Sequence, residues 1–471
     1  MSWTEQRDGS WSRPLDCHDR LFQFIGDQAK PLDREHWLLV GNVRLKLSPT
    51  KADSIADELR QAWKRLRLQH PDIALELVEG NEKRYLPVHS QQALHAWSDA
   101  TFRIESDVPS ADHFFTHRLR RADPQATCHW VPASCELVLV SQHWRWDGCG
   151  LLMMLHELLA QLEHPPSAPT ASVDLDGREA ARLVPSLDVV LGMPEIEKED
   201  KTRALGWDKQ ADDLLGKFIA GIPSIGVYKA PSSSSDAPSP VPQLPGKTIR
   251  VEQVIPRELT ASIRRAARSR HNVTVTSAVH ASAIVATVRA NPTSPATRFT
   301  SWAMFDLRKH CPAPFDGPLH APSLRTFGLP INLDARAPWP DLAHALQTIY
   351  HEQPWTPPDS DLLYNRVPYI NKVITMLATP PPPDLPPASE PSISSLGVLD
   401  RYVKPRYADD VDVADVSVAV HQLSPQLYVH VWSWDGEMHL STCFNETYHE
   451  REFVTEWLAD VVGILVENLL S

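Results

Sequence analysis

The chain has no closely spaced cysteine pair: its six cysteines, Cys17, Cys128, Cys135, Cys149, Cys311 and Cys443, are scattered over 471 residues. That spacing signals neither a zinc ribbon nor a dense disulfide framework, and a reducing compartment is expected. His310 beside Cys311 has no further ligand at metal spacing, so no metal is expected. No stretch approaches the roughly 18 apolar residues of a membrane span. The opening MSWTEQRDGS is polar and lacks the apolar core of a secretory signal, which makes the cytoplasm the expected location. The sequons at Asn272 and Asn445 are then read as chance. Basic charge is short as well. Lys+Arg number 46 against 59 Asp+Glu, a net charge of -13, the reverse of the phosphate-neutralising balance of a nucleic-acid binder. A local basic groove for a phosphorylated cosubstrate is compatible with that total.

Hydrophobic residues make up 42% of the chain and charged residues 22%, an ordinary globular balance, and the length suits two or more packed lobes. The 42 prolines cluster at joints. The segment Ala230 to Gly246, APSSSSDAPSPVPQLPG, has almost no large apolar residue and reads as an exposed crossover. It predicts an N-terminal lobe over residues 1–229 and a C-terminal lobe over 247–471. A second Pro-rich stretch, Thr379 to Ser392, reads as a surface loop. Trp37 to Leu47 alternates like a strand, and Lys51 to Leu68 carries Ile55, Leu59, Ala62, Trp63 and Leu66 at helical spacing. The order repeats after the crossover: Lys247 to Ile255 alternates, Pro256 to Ser269 is helical, and Thr276 to Val288 is apolar enough for a buried helix. Two related α/β lobes are expected.

Glu136-Leu-Val-Leu-Val-Ser-Gln-His143-Trp-Arg-Trp-Asp147-Gly148-Cys-Gly runs from an apolar strand into a turn, followed by an apolar helix from Leu151 to Leu162. His143, Asp147 and Gly148 form the pattern HxxxDG. With 21 His, 35 Asp and 18 Gly, about 0.06 chance occurrences are expected. A histidine at the end of a buried strand can serve a cleft. Trp144 and Trp146 flank Arg145; their rings either wall a hydrophobic acceptor cleft or pack between sheet and helix. His430 is followed by VWSWDG, one residue too long for the motif, and reads as a hairpin turning at Asp435-Gly436.

On these residues the chain resembles the HxxxDG acyltransferase superfamily, which includes chloramphenicol acetyltransferase, plant-type CoA-dependent acyltransferases, peptide-synthetase condensation domains and fungal trichothecene 15-O-acetyltransferase-like enzymes. Leu66-Arg-Leu-Gln-His70-Pro is similar to the family's LRxxHP helix end. The fungal branch is suggested by Trp11-Ser-Arg13-Pro14-Leu15, Ser394-Ser395-Leu396-Gly397-Val-Leu-Asp-Arg-Tyr402 and Leu440-Ser-Thr-Cys-Phe-Asn445. Condensation domains carry two adjacent histidines, and Gln142 stands in the first place here. The DFGWG of plant enzymes is absent, its place taken by Ser394 to Gly397.

The resemblance implies a mixed α/β fold of two chloramphenicol-acetyltransferase-like lobes with an active-site tunnel between them. It implies O-acyl transfer, with acyl-CoA (acetyl-CoA) as co-substrate and a hydroxyl of an apolar specialised metabolite, terpenoid or polyketide, as acceptor. His143 is then the general base, a role that suits a neutral imidazole at pH 7. Asp147 turns toward an arginine of the other lobe, Arg308 in Phe305-Asp306-Leu307-Arg308, and Gly148 permits the tight turn. Ser395 takes the place of an oxyanion or substrate contact, or else caps a helix or turn. A monomer acting on a small molecule is expected. The alternatives are an acyl carrier protein as donor, as in condensation enzymes, or a repurposed binding or cyclising member of the fold.

Overall fold

Residues 137–140, Leu-Val-Leu-Val, are apolar on both sides of the pleat, which suits a strand covered on both faces in the middle of a sheet. The computed structural model, which describes residues 2–78, 81–163, 175–193, 201–227, 244–353, 355 and 361–471, places them there. The chain divides into two compact units, and the division is not the expected single cut at residues 230–246. One unit gathers Met1–Pro194, Asp306–Thr326 and Val398–Val420; the other holds Glu195–Phe305, Phe327–Gly397 and His421–Ser471. Composition marks where a chain is poor in apolar residues, whereas strand pairing decides which unit a segment joins. Residues 230–243 of the expected crossover lie outside the described residues.

In the first unit, helix α1 (Cys17–Asp27) precedes strand β1 (Leu39–Leu47) and helix α2 (Pro49–Gln69). Strands β2 (Phe102–Ile104), β3 (Thr127–Val131) and β4 (Glu136–Ser141) follow, then helix α3 (Gly148–Ala160). Strands β5 (Arg406–Tyr407) and β6 (Val411–Val420) arrive from far along the chain. The six-stranded sheet has the order β5-β6-β1-β4-β3-β2, antiparallel except for the β2–β3 pair. Helix α2 starts on the Ser48 side chain, which accepts from the Lys51 amide, and it buries Ile55, Leu59, Ala62, Trp63 and Leu66. The predicted strand begins two residues late, since Trp37 adopts a φ of 57°. Helix α3 crosses the sheet at Gly41, where a Cβ would stand 2.7 Å from Leu151 Cδ2. The helix therefore needs a glycine beneath it.

In the second unit a four-stranded sheet runs Ser392–Val398, Tyr428–Trp434, Glu437–Asn445, Thr248–Ile255. The helix Arg257–Arg270 buries Ile263, Ala266 and Ala267, and the helix Val275–Ala290 is buried over most of its length, as its composition predicts. Strands Tyr428–Trp434 and Glu437–Asn445 form the expected hairpin, with Asp435 (φ 47°) and Gly436 (φ 80°) in the two-residue turn. Among the described residues no single helix is long and apolar enough to cross a membrane.

Candidate active site

The motif loop leaves β4 at Ser141 and enters α3 at Gly148, so His143 stands where the strand ends. Its ring is buried, with 9% of the residue exposed. Phe22 of α1 stacks on it, ring centroids 4.2 Å apart and planes 24° apart, and Trp37 lies 6.3 Å away at a tilt. Burial lowers the imidazole's pKa from its ordinary value, against the opposing pull of the His143 backbone and of the Asp147 charge. His143 is therefore neutral at pH 7.

Asp147 is the N-cap of α3. Its Oδ1 accepts from the Gly150 amide at 2.8 Å, and its Oδ2 accepts from Arg308 Nη1 at 3.0 Å and from the Arg325 amide at 2.7 Å. The Asp147 amide in turn donates to the Ser323 carbonyl. Both side chains of the Asp147–Arg308 pair are 6% exposed. Although burial opposes ionisation, Arg308 and the two amides hold the carboxyl below its usual range, and Asp147 and Asp306 raise the Arg308 pKa. Arg308 also donates to Asp306 Oδ1 and to the Ser323 carbonyl. The pair is thus local to one unit: Arg308 travels with the 306–326 segment into the unit that holds Asp147, and the expectation of an arginine in the other lobe is corrected.

Four further candidates are corrected or relocated. Gly148 is the first residue of an α-helix rather than the pivot of a tight turn. Close approach instead demands a glycine at Gly150, where a Cβ would stand 2.6 Å from the Ala321 carbonyl. Trp144 and Trp146 are buried and take the packing alternative: the Arg145 guanidinium lies over both rings, and Lys83 Nζ over Trp144. They do not wall an open cleft. Ser395 belongs to the second unit, exposed on the strand Ser392–Val398, with its hydroxyl 2.9 Å from Thr276 Oγ1; it caps neither a helix nor a turn. His70 ends α2 and meets Glu157 at 3.4 Å, a structural role.

Sequence reasoning missed Phe22, Trp37, Ser323 and Arg325, all brought to the loop from a distance. It also gave no role to Arg13 of the Trp11-Ser-Arg13-Pro14 segment. Tyr402, which that reading cited only as family likeness, sets its hydroxyl 3.5 Å from Cys149 Sγ, and burial pushes that thiol up to about 12. Among the described residues no group of three or more His, Cys, Asp or Glu is placed to hold a metal ion.

No family model matches the chain. It is 30% identical over 480 residues to the acetyltransferase pigO of Monascus ruber, covering 100% of this chain and 98% of the relative. It is 25% identical over 471 residues to the O-acetyltransferase pigM of the same fungus, covering 100% and 87%. The solved trichothecene 15-O-acetyltransferase of Fusarium sporotrichioides superposes with a TM-score of 0.79 over 98% of this chain and 96% of that one, at 14% identity, a likeness of fold. Fold and relatives together define an acyltransferase. Within that class, the chain belongs to the family of fungal acetyltransferases that pigO represents.

Proposed function

We propose that the enzyme transfers acetyl from acetyl-CoA to a hydroxyl of an apolar specialised metabolite, with His143 as general base. The observation that carries this reading is a buried imidazole, its pKa lowered by burial, on a loop whose following carboxylate is committed to Arg308 and two amides. Asp147 is therefore an anchor and leaves the imidazole to act alone. In the reaction the acceptor hydroxyl gives its proton to His143 as its oxygen bonds to the thioester carbonyl carbon. Collapse of the tetrahedral intermediate breaks the C–S bond, and the departing CoA sulfur takes up the proton. Ser395 enters this reading, by its place in the sequence alone, as a contact to the oxyanion or the substrate. A monomer working in the cytoplasm on a small-molecule alcohol completes it.

The acceptor class is carried over from proteins to which the chain is similar, a trichothecene 15-O-acetyltransferase by fold and an azaphilone biosynthesis cluster protein by sequence. Gln142, where condensation domains keep a second histidine, favours CoA over an acyl carrier protein as donor. The test is to incubate the pure protein with acetyl-CoA and a metabolite extract of the source fungus, and to look for products heavier by one acetyl group. Transfer that appears only with a phosphopantetheinylated carrier protein would replace acetyl-CoA as donor. No acetylated product from either donor would sink the reading.

A further inference from the structure

The motif loop has a second anchor besides Arg308. Helix α1 opens with a capping box: Asp16 Oδ1 accepts from the Asp19 amide at 2.9 Å, and Asp19 Oδ2 from the Asp16 amide at 3.2 Å. Asp19 does more than cap. Its Oδ2 also takes Arg13 Nη1 at 2.8 Å, and its Oδ1 takes Lys83 Nζ at 2.6 Å, with every side chain in this cluster no more than 6% exposed. The Lys83 ammonium has one further acceptor, the carbonyl of Trp144, at 3.2 Å. Trp144 is the residue directly after His143. One helical turn beyond Asp19, on the same helix, Phe22 covers the imidazole face.

One carboxylate thus reaches the histidine by two routes, through α1 to Phe22 on the ring and through Lys83 to the backbone beside it. An unpaired ammonium or carboxylate at such burial is strongly destabilising, so a trio kept here has to be complete. We infer that Asp19, Lys83 and Phe22 are positioning residues for acyl transfer, fixing the plane and the burial of the His143 imidazole, with Arg13 holding Asp19 in place. The inference rests on His143 being the base. It gives the Arg13-bearing N-terminal segment a physical task, that of delivering α1 to the site.

Of the charged and titratable groups on neighbouring elements, Asp147 on the same loop acts on the ring, while Asp19 sits on the helix that carries Phe22, Lys83 lies over Trp144, and His36 stacks on Trp37. Burial is the first cause of the lowered imidazole pKa, and Phe22 is part of what buries it. Removing the phenyl ring lets water in and should raise that pKa.

The experiment uses the full chain with ¹³C-labelled histidines, the His143 signal being assigned by its loss in His143→Gln. The His143 titration is followed by NMR in the parent, Phe22→Leu and Phe22→Ala, and acetyl transfer from acetyl-CoA is measured alongside. Phe22→Ala should move the titration midpoint upward by about half a pH unit or more. Phe22→Leu, which keeps an apolar side chain of similar size, should fold and lose about tenfold in kcat, with KM for acetyl-CoA little changed. Lys83→Met should lose a similar factor, and Lys83→Arg should restore part of it. An unmoved His143 titration in Phe22→Ala, or parent-like kcat in both Phe22→Leu and Lys83→Met, would overturn the inference. If His143→Gln itself keeps full activity, the base assignment fails instead, while the NMR midpoints still report whether Phe22 governs the ring.

Discussion

The chain contains two segments in which a histidine at the end of an apolar run is followed by tryptophans and Asp-Gly: His143-Trp-Arg-Trp-Asp147-Gly148 and His430-Val-Trp-Ser-Trp-Asp435-Gly436. They fold differently. From His430 the strand continues to Trp434, and Asp435 and Gly436 turn the chain back in left-handed conformations, with Asp435 75% exposed and paired to an exposed Arg257. From His143 the strand has already ended, and Asp147 caps a helix inside the protein. What separates the two aspartates is the setting of their donors: two amides and a buried guanidinium around Asp147, an exposed guanidinium at the surface beside Asp435.

The largest expected effect is on chemistry. His143→Ala should fold and lose about 10²–10⁴ in acetyl-transfer rate, the usual range for a positioned acid–base group. Asp435→Ala in the look-alike segment should leave the rate unchanged. A steady-state assay on both folded variants makes the contrast, and a parent-like rate in His143→Ala would erase it.

Stability should separate the aspartates next. Arg308→Ala leaves the Asp147 carboxylate buried with its charge unpaired, which typically costs about 3–5 kcal/mol. Asp147→Asn should harm the same loop, so the double variant should lose less than the sum of the single losses in a denaturation cycle. Additive losses would mean that the pair does not act as a unit. The Asp147 contribution has a pH signature as well. Its folded pKa is depressed, so the stabilisation is complete above the unfolded value of about 3.9 and is lost as pH falls through the folded one. The Tm gap between parent and Asp147→Asn should therefore close only below about pH 4.

Smaller effects test the packing. Gly150→Ala forces a methyl group toward the Ala321 carbonyl and should cost about 1–3 kcal/mol, read from the urea midpoint. Asp435→Asn, which keeps a residue suited to the left-handed turn, breaks an exposed pair and should cost at most about 1 kcal/mol. Equal costs at the two sites would show that the motif loop is no more constrained than a surface hairpin.

Much of this contrast is legible in the sequence. The apolar run 137–140 and the helix after Gly150 place His143 at a strand end, and the turn chemistry of Asp435-Gly436 assigns the hairpin. Arg308 came from family likeness, and the structure puts it on Asp147 while assigning it to the same unit. What stayed hidden depends on distant pairing. Periodicity tells which face of β6 is apolar but not that it pairs with β1, more than 370 residues earlier, with Val416 opposite Val43. Nor does any local pattern announce that Phe22 stacks on His143, or that Lys83 reaches the Trp144 carbonyl. A phenylalanine on an amphipathic helix looks the same from its neighbours in sequence whether it meets a leucine or a catalytic imidazole.

The account turns on a neutral His143 taking the acceptor's proton, and the pH dependence of kcat/KM for acetyl transfer tests that most directly. It should show an acidic limb whose midpoint lies below the ordinary histidine value of about 6.5, because burial favours the neutral ring, and the midpoint should match the His143 titration seen by NMR. A rate that stays flat as His143 takes up its proton would contradict the account.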